Sequence, residues 1–317
     1  MPFTNSDLPI TLLLAVALDL VFGDPPNALH PTAWMGRVIA FGKRHSPARG
    51  AFAQFVYGAM LILIGASAFA MIAHFGLSAI RAWNDIPFIV ASAIILKTTF
   101  TLRGLIHAAR AVQRALDTND LPDARRLVAW HLVSRDTRDL DAPHVISATV
   151  ESVAENLADS IVAPLFFFAF LGVPGALAYR FVNTADAMIG YHGATEYLGK
   201  FAARLDDVLN FIPSRGSGVL IVIGAFIARG AARNAWRVMM RDHSNTASPN
   251  AGYPMSAMAG ALNVQLEKIG NYKLGDATRA FAPAQISQSL RVMIAGAAIW
   301  ILLLAISTIQ LSNYSTK

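Results

Sequence analysis

Long apolar runs alternate along this chain with polar, helix-like stretches. Six runs are candidates for crossing a bilayer: Leu8–Phe22, Phe52–Phe75, Ile86–Leu102, Ile161–Phe181, Gly218–Ala228 and Val292–Ile309. A helix needs about 20 apolar residues to span the hydrocarbon layer. Phe52–Phe75 and Val292–Ile309 meet that length cleanly. Leu8–Phe22 is short and interrupted by Asp19, and Gly218–Ala228 is short but extendable. Ile86–Leu102 carries Lys97 near its end, where a lysine can snorkel to the interface. The blocks are continuous rather than alternating over ten-residue units, which excludes a β-barrel. The pattern predicts an all-α, polytopic helical integral membrane protein with about four to six membrane segments. It reads as a single domain over residues 1–317, with a helical cytoplasmic section over about 103–160.

Ile161–Phe181 is ambiguous because Pro174-Gly175 sits inside it. Proline removes a backbone donor and favours a helix break, which membranes tolerate where the backbone is buried in protein. One reading is a kinked span, which puts residues 182–216 on the far side. The other is a pair of half-helices that enter and leave on one side.

Composition agrees with the bilayer reading. Hydrophobic residues make up 55% and charged residues 15%, against about 25% charged in soluble domains. The absence of cysteine excludes disulfides and thiolate chemistry. The net charge of +6 marks cytoplasmic segments rather than nucleic-acid binding, since no aromatic–basic strands are present. Basic residues concentrate in 37–49, 103–114 and 229–241, and the positive-inside rule places all three in the cytoplasm. The first apolar run carries Asp7 instead of a basic flank, and Asp19-Leu-Val-Phe-Gly-Asp-Pro-Pro does not resemble a cleavage site. It reads as a retained segment.

The clearest chemical signal is the run of acids in 147-SATVESVAENLADSIVAPLFFFAF-170. Glu151, Glu155 and Asp159 are four apart, so each lies about 40° beyond the last on one helical face, over about 12 Å. Acids at the margin of an apolar layer are costly and mark functional sites, although a solvated surface helix has the same spacing. Asn156 lies on a neighbouring polar stripe with Ser152. Such a surface suits Mg²⁺, which takes oxygen ligands and often binds through one or two carboxylates plus phosphate.

Three further polar blocks stand out. In 19-DLVFGDPPNALHPTAWMGR-37, Asp24-Pro25-Pro26 and His30-Pro31 read as stiff turns. Asp19, Asp24, His30 and Arg37 are positioned to surround a polar substrate, or to act locally as turn caps and headgroup contacts. Upstream of the acid run, Ser134-Arg135-Asp136-Thr137 reads as a loop, and Asp141 as a helix cap with Pro143 in the first turn. Arg135 and Arg138 offer planar donor forks to phosphate, or Arg135 pairs with Asp139. In 180–215, Asn183 and Asp186 share a face, as do Asp206 and Asn210, while Arg204 has Asp207 three residues on. The last block, 241–268, is rich in Ser, Asn, Pro and Gly. Its Pro249-Asn250-Ala251-Gly252 could present backbone amides to phosphate, Met255, Met258 and Ala259 begin a packed helix, and Glu267 reads as part of an ordinary polar helix. No GxxxxGK[ST], HExxH or GxSxG is present. Residue chemistry alone therefore fits a transporter pathway as readily as an enzyme.

Taken in order, DLVFGDPPNALHPTAWMGR, LVSRDTRDLD, ESVAENLADSIVAPLFF, YRFVNTADAMIGY, LDDVLNFIPSR and SPNAGYPMSAMAGAL resemble the CobD/CbiB membrane family of cobalamin biosynthesis. They cover about Asp19 to Leu262. Each is weak alone; their ordered combination is specific. The resemblance implies an adenosylcobinamide-phosphate synthase activity in a multi-pass bacterial inner-membrane protein. A corrinoid substrate, cobyric acid in its usually adenosylated form, is joined through its f propionate to aminopropanol or its O-phosphate. ATP and Mg²⁺ are the implied cosubstrate and metal. The bilayer and other enzymes of the cobalamin pathway are the implied partners, with no nucleic acid. Under this reading Glu151, Glu155 and Asp159 lie near metal or amine, with Asp186 as a further catalytic acid. Arg135 and Arg204 meet phosphate. Asp24, His30, Arg37, Asp136, Asn156, Asn183, Asp206, Asn210 and Asn250 contribute to substrate binding. Alternatives are an AmpE-like membrane sensor, a corrinoid transporter, or recruitment of a soluble catalytic partner.

The charge bias generates a labelling prediction. The cysteine-free chain accepts single cysteines at Ser46 and Asn234, which should react with an impermeant reagent only after the inner membrane is opened. Labelling of both from outside would reverse the orientation, and external labelling at Thr195 would separate 182–216 from the acid stripe.

Overall fold

The computed structural model describes residues 7–133, 135–190 and 196–315, with side chains to residue 308. Ser134, Tyr191 and Thr195 lie outside these. The fold is helical: α1 (Asp7–Phe22), α2 (Pro31–Arg44), α3 (Ala51–Trp83), α4 (Asp85–Lys97), α5 (Arg103–Asp117), α6 (Leu121–His131), α7 (Ala142–Leu157), a π-helical turn (Ala158–Val162), α8 (Ala163–Ile189), α9 (Glu196–Leu209), α10 (Phe211–Ile227), α11 (Ala232–Asp242), α12 (Gly252–Leu262) and α13 (Ala284–Ser315). One antiparallel hairpin, β1 (Leu266–Lys268) and β2 (Tyr272–Leu274), is added to them.

Three helical runs are long and apolar enough to cross a membrane: Ala51–Trp83, Ala142–Ile189 and Ala284–Thr308. The consecutive helices α9 and α10 make a fourth when taken together. α3 leaves Met60, Leu63, Ile64, Met71 and Ile72 exposed. An apolar face of that extent needs lipid or a partner around it. α4 is shorter than its apolar run suggested, because the chain leaves the helix at Lys97 and turns through Thr98–Thr101. At 1.5 Å per residue its 13 residues reach about 20 Å, short of the hydrocarbon thickness. The three basic segments are mainly helical, in α2, α5 and α11. Asn234 on α11 is hydrogen-bonded to the Gly260 carbonyl and to Asn263. The exposed Met240 on the same helix is therefore the better labelling position.

The acid helix runs without a loop into the apolar one. α7, the π turn and α8 form one 48-residue path. Asp141 caps α7 by accepting the His144 N–H at 2.9 Å, with Pro143 in the first turn, as the sequence indicates. The expected break in α8 falls at Gly172, two residues before Pro174. There φ is 67° and ψ is −165°, a conformation that glycine tolerates and side chains do not.

The chain divides into two compact units. Met1–Thr101, Ala163–Leu209 and Ile301–Lys317 form the first, and Leu102–Val162 with Asn210–Trp300 form the second. In the first, α3 packs on α8 and α9, and α1 packs on α4. The backbones come close: a Cβ on Gly58 would stand 2.0 Å from the Leu198 carbonyl oxygen. In the second, α12 is the centre. It packs against α7, α10 and α11, and all of Pro254–Leu262 is buried. This agrees with the packed helix read from Met255, Met258 and Ala259.

Candidate functional site

In the second unit, Glu151 on α7 is 5% exposed. Burying a carboxylate costs several kcal/mol unless its oxygens are paired and hydrogen-bonded. Here they are. The Ser147 hydroxyl, one turn earlier, donates to Oε1 at 2.7 Å. The Tyr272 hydroxyl donates to Oε2 at 2.8 Å. A terminal nitrogen of Arg135 lies 3.6 Å from Oε2. Arg135 therefore faces Glu151 in place of the surface pair with Asp139 that the sequence also allowed.

The hairpin delivers the tyrosine. Leu266 pairs with Leu274 and Lys268 with Tyr272, leaving a three-residue connection in which Gly270 has φ 73°. β1 is tied to α7 because the Glu267 N–H donates to the Ser147 Oγ at 2.9 Å. Ser147 thus accepts from the hairpin and donates to Glu151. Glu267 lies in this strand, correcting the helical reading. Burial, then the nearby Glu151 carboxylate, hold the Tyr272 phenol above its ordinary pKa, so it stays a hydrogen-bond donor.

The rest of the acid stripe differs. Glu155 and Asp159 are half-buried. Asp159 falls in the π turn, whose extra residue interrupts the four-residue spacing. Among the described residues no group of three or more His, Cys, Asp or Glu side chains could hold a metal ion. The neighbouring stripe is a connected ladder: Ser160 donates to Asn156 at 2.8 Å, Asn156 to the Ser152 carbonyl at 2.9 Å, and Ser152 to the Leu132 carbonyl at 2.9 Å.

Elsewhere in this unit, Asn250 is buried and accepts from Ser214 at 3.3 Å and Arg215 at 3.2 Å. The backbone amides of Asn250 and Ala251 donate to the Ser248 hydroxyl. They are committed to the turn, contrary to the phosphate-nest expectation. Arg215 stacks over Phe211 and Tyr253, 3.5 and 4.4 Å from their centroids. Asn210 is buried just before α10. Asp136 is exposed and paired with Arg138, which holds its pKa down to about 2.

The first unit holds a separate polar pocket of about 280 Å³, lined by residues that include Asp24, His30, Thr98, Thr101 and Arg180. Lys97 does not snorkel. It is 4% exposed and bridges Asp19, at 3.0 Å, and Asp24. Burial opposes ionisation of Asp24, but hydrogen bonds from His30, Lys97 and Thr101 and the lysine charge outweigh it and hold its carboxyl well below the usual range. His30 Nδ1 accepts the Thr32 N–H at 3.2 Å, capping α2, so a neutral ring carries its proton on Nε2, 3.7 Å from Asp24. Arg37 lies on the exposed face of α2 and does not line this pocket. Asn183 bridges Arg180 and the buried Asp206, at 3.3 Å each. Asp186 is half-buried in the last turn of α8. Arg204 is exposed, 3.9 Å from Asp207, the simple pair its spacing allows. The candidates read as one polar group are thus distributed over both units.

Three partners escaped the sequence reading: Tyr272, Lys97 and Arg180. Tyr272 had a legible signal, since Leu266 to Leu274 is a short hairpin with Gly270-Asn271 in its turn. Arg180 had one in its three-residue spacing to Asn183, whereas Lys97 had none, because its partners Asp19 and Asp24 are distant in sequence.

Three long apolar helical runs, with buried polar centres beside them, define a multi-pass helical protein of the inner (cell) membrane. The chain belongs to the CobD/CbiB family: the family described as CobD/Cbib protein matches residues 12–293. It has an enzymatic role in cobalamin biosynthesis. It is 48% identical over 94% of its length to a "Cobalamin biosynthesis protein CobD" of Dehalococcoides mccartyi, covering 96% of that protein. It is 40% identical over 84% of its length to a "Probable cobalamin biosynthesis protein CobD" of Methanocaldococcus jannaschii, covering 88% of it. A similarly named protein of Methanothermobacter thermautotrophicus is 43% identical over 84% of this chain and 86% of its own length. No solved structure matches the chain.

Asp242 yields a stability prediction. Its buried carboxylate accepts from Arg241 at 2.6 and 2.8 Å and from the Gly275 N–H at 2.7 Å, anchoring α11 to the end of the hairpin. Burial works against ionisation, but these bonds outweigh it and lower the Asp242 pKa. Its contribution is therefore complete above its ordinary value of about 4 and is lost as pH falls through the lowered one. Asp242→Asn should cost about 1–3 kcal/mol near neutral pH, with the gap to wild type closing in acid, as read by thermal unfolding in detergent. A constant gap down to strongly acid pH would remove the charge from this account.

Proposed function

We propose that the chain is an adenosylcobinamide-phosphate synthase-like ligase. It joins the f propionate of cobyric acid, in its adenosylated form, to aminopropanol O-phosphate. The observation that carries a site for this chemistry is Glu151, buried in a ring of hydrogen bonds from Ser147 and Tyr272 and faced by Arg135. A carboxylate and an amine do not condense spontaneously in water. In this reading the propionate takes the terminal phosphoryl group of ATP, giving an acyl phosphate and ADP. The neutral amine attacks the acyl carbon, the C–N bond forms and the C–O bond to phosphate breaks. Inorganic phosphate leaves, and the nitrogen gives up a proton.

The residues fit parts of this sequence. Arg135 presents a planar donor fork suited to the oxygens that gain charge during transfer. Glu151, kept in place by Tyr272 and Ser147, is the acceptor for the proton of the attacking amine. Mg²⁺ would offset charge on the triphosphate. It needs one or two carboxylates beside the phosphates, and Glu155 and Asp159, one and two turns beyond Glu151, can meet that need without a preformed cage. The open pocket lined by Asp24, His30 and Arg180, with Asn183 bonded to Arg180 and Asp206, supports binding of a small polar substrate. On the same reading Asp186 is a further catalytic acid, and Arg204, Asn210 and Asn250 are substrate contacts.

The test is a coupling assay with purified protein, adenosylated cobyric acid, aminopropanol phosphate, ATP and Mg²⁺. Product should appear with one ATP consumed per amide, and Glu155→Gln and Asp159→Asn should lower turnover more than they lower folded yield. Full-rate product without any nucleoside triphosphate would exclude acyl-phosphate chemistry. Corrinoid uptake into sealed vesicles without coupling would favour a transporter.

A further inference from the structure

Within the second unit, α6 and the segment that leads from it to α7 enclose an open cavity of about 540 Å³. Its charge is one-sided. Arg125, Arg126, Arg135 and Arg138 line it together with one carboxylate, Asp136, while Arg126 is also paired with Asp123 at 2.6 Å and Arg135 lies 3.6 Å from Glu151. Asp136 is already committed to Arg138, at 2.6 Å. The Arg125 head is fixed, since its Nε donates to the Leu140 carbonyl at 2.6 Å.

Two features separate this cavity from an ordinary basic surface. First, Arg135 Nε is buried and has no hydrogen-bond acceptor among the described residues. A buried N–H without an acceptor is costly, and it marks Arg135 as held in place here for more than its own hydrogen bonding. Second, Trp130 lines the same cavity with 80% of its surface exposed. An indole left open beside a cationic wall is a platform for a planar, electron-poor ring. Guanidinium forks select phosphate oxygens, and the aromatic face selects a base. The volume is in the range of small-molecule sites, about 300–1,000 Å³.

We propose that this cavity binds a nucleoside polyphosphate, with its phosphates on Arg125, Arg135 and Arg138 and its base against Trp130. Arg135 then joins two functions, because its terminal nitrogen lies 3.6 Å from Glu151 while the residue also lines the nucleotide cavity. The choice of a nucleotide that also reacts rests on the ATP-dependent coupling above; the binding site does not.

Calorimetric titration of the full-length protein in neutral detergent tests it, with ATP and inorganic tripolyphosphate as probes and no corrinoid or amine present. ATP should bind saturably. Arg135→Gln should weaken both probes about tenfold, the loss expected for one charge-assisted contact. Trp130→Ala, at an exposed position where folding is not at stake, should weaken ATP but leave tripolyphosphate unchanged. Arg138→Gln, 87% exposed on its side chain, should weaken both. The proposal is overturned if ATP and tripolyphosphate bind alike and Trp130→Ala changes neither, since the site is then a plain polyanion patch. It is also overturned if vesicles of anionic lipid, but not zwitterionic lipid, abolish ATP binding, because a lipid headgroup is then the occupant. Variants that lose turnover but bind ATP normally would refute the pocket and leave the coupling reaction standing. Normal ATP binding at this site, sensitive to these substitutions, with no coupling by the wild type would refute the coupling and leave the pocket.

Discussion

A buried carboxylate with every oxygen occupied is the constraint on which the second unit depends. Removing Glu151 from water is expensive, and an unpartnered charge at that depth would destabilise the fold. Its partners come from three stretches of chain: Ser147 from its own helix, Tyr272 from the hairpin and Arg135 from the segment before α7. Those stretches must therefore all be in position for the charge to be tolerated. The hairpin, too small to stand alone, is held by the same bonds, because Ser147 accepts from Glu267 while donating to Glu151. Asp242 ties the hairpin's far end to α11.

The first unit solves the same problem with an ion triad. Asp19 is fully buried and Lys97 nearly so; they pair at 3.0 Å, with Asp24 as a second acceptor for the lysine. A hydrophobic replacement of that triad could be as stable. Its retention beside a small cavity with His30 and Arg180 supports a binding role for the first polar block. Both units thus concentrate polar groups in buried places, while helices such as α3 leave large apolar side chains exposed.

The membrane character and the helical architecture are legible because they follow from summed hydropathy, which needs no knowledge of contacts. Phe52–Phe75 and Val292–Ile309 are recovered within α3 and α13 for that reason. Ile86–Leu102 is not, since the helix ends at Lys97 and Thr98–Thr101 turn away from it. The site was legible in part. The cost of an acid near an apolar run singled out Glu151, and guanidinium chemistry singled out Arg135. Spacing also implied three equivalent carboxylates, and the structure distinguishes them: Glu151 is buried, whereas the π turn shifts Asp159. Helical periodicity cannot foresee an extra residue in a turn. Nor can it foresee that Lys97 pairs with Asp19, 78 positions away in sequence (97 − 19), instead of reaching outward.

The central claim is that Glu151 and Tyr272 act as one unit in the reaction and not as a structural clasp. A double-mutant cycle of Glu151→Gln and Tyr272→Phe, read in parallel as coupling turnover and thermal stability, measures this directly. The account predicts that either single change removes most of the turnover, that the double variant is little worse than Glu151→Gln alone, and that Glu151→Gln costs little stability, because neutralising the buried charge offsets the bond it loses, whereas Tyr272→Phe costs more, because it takes a donor from a charge that stays buried. Additive losses in turnover, or losses that follow stability step for step, would contradict it.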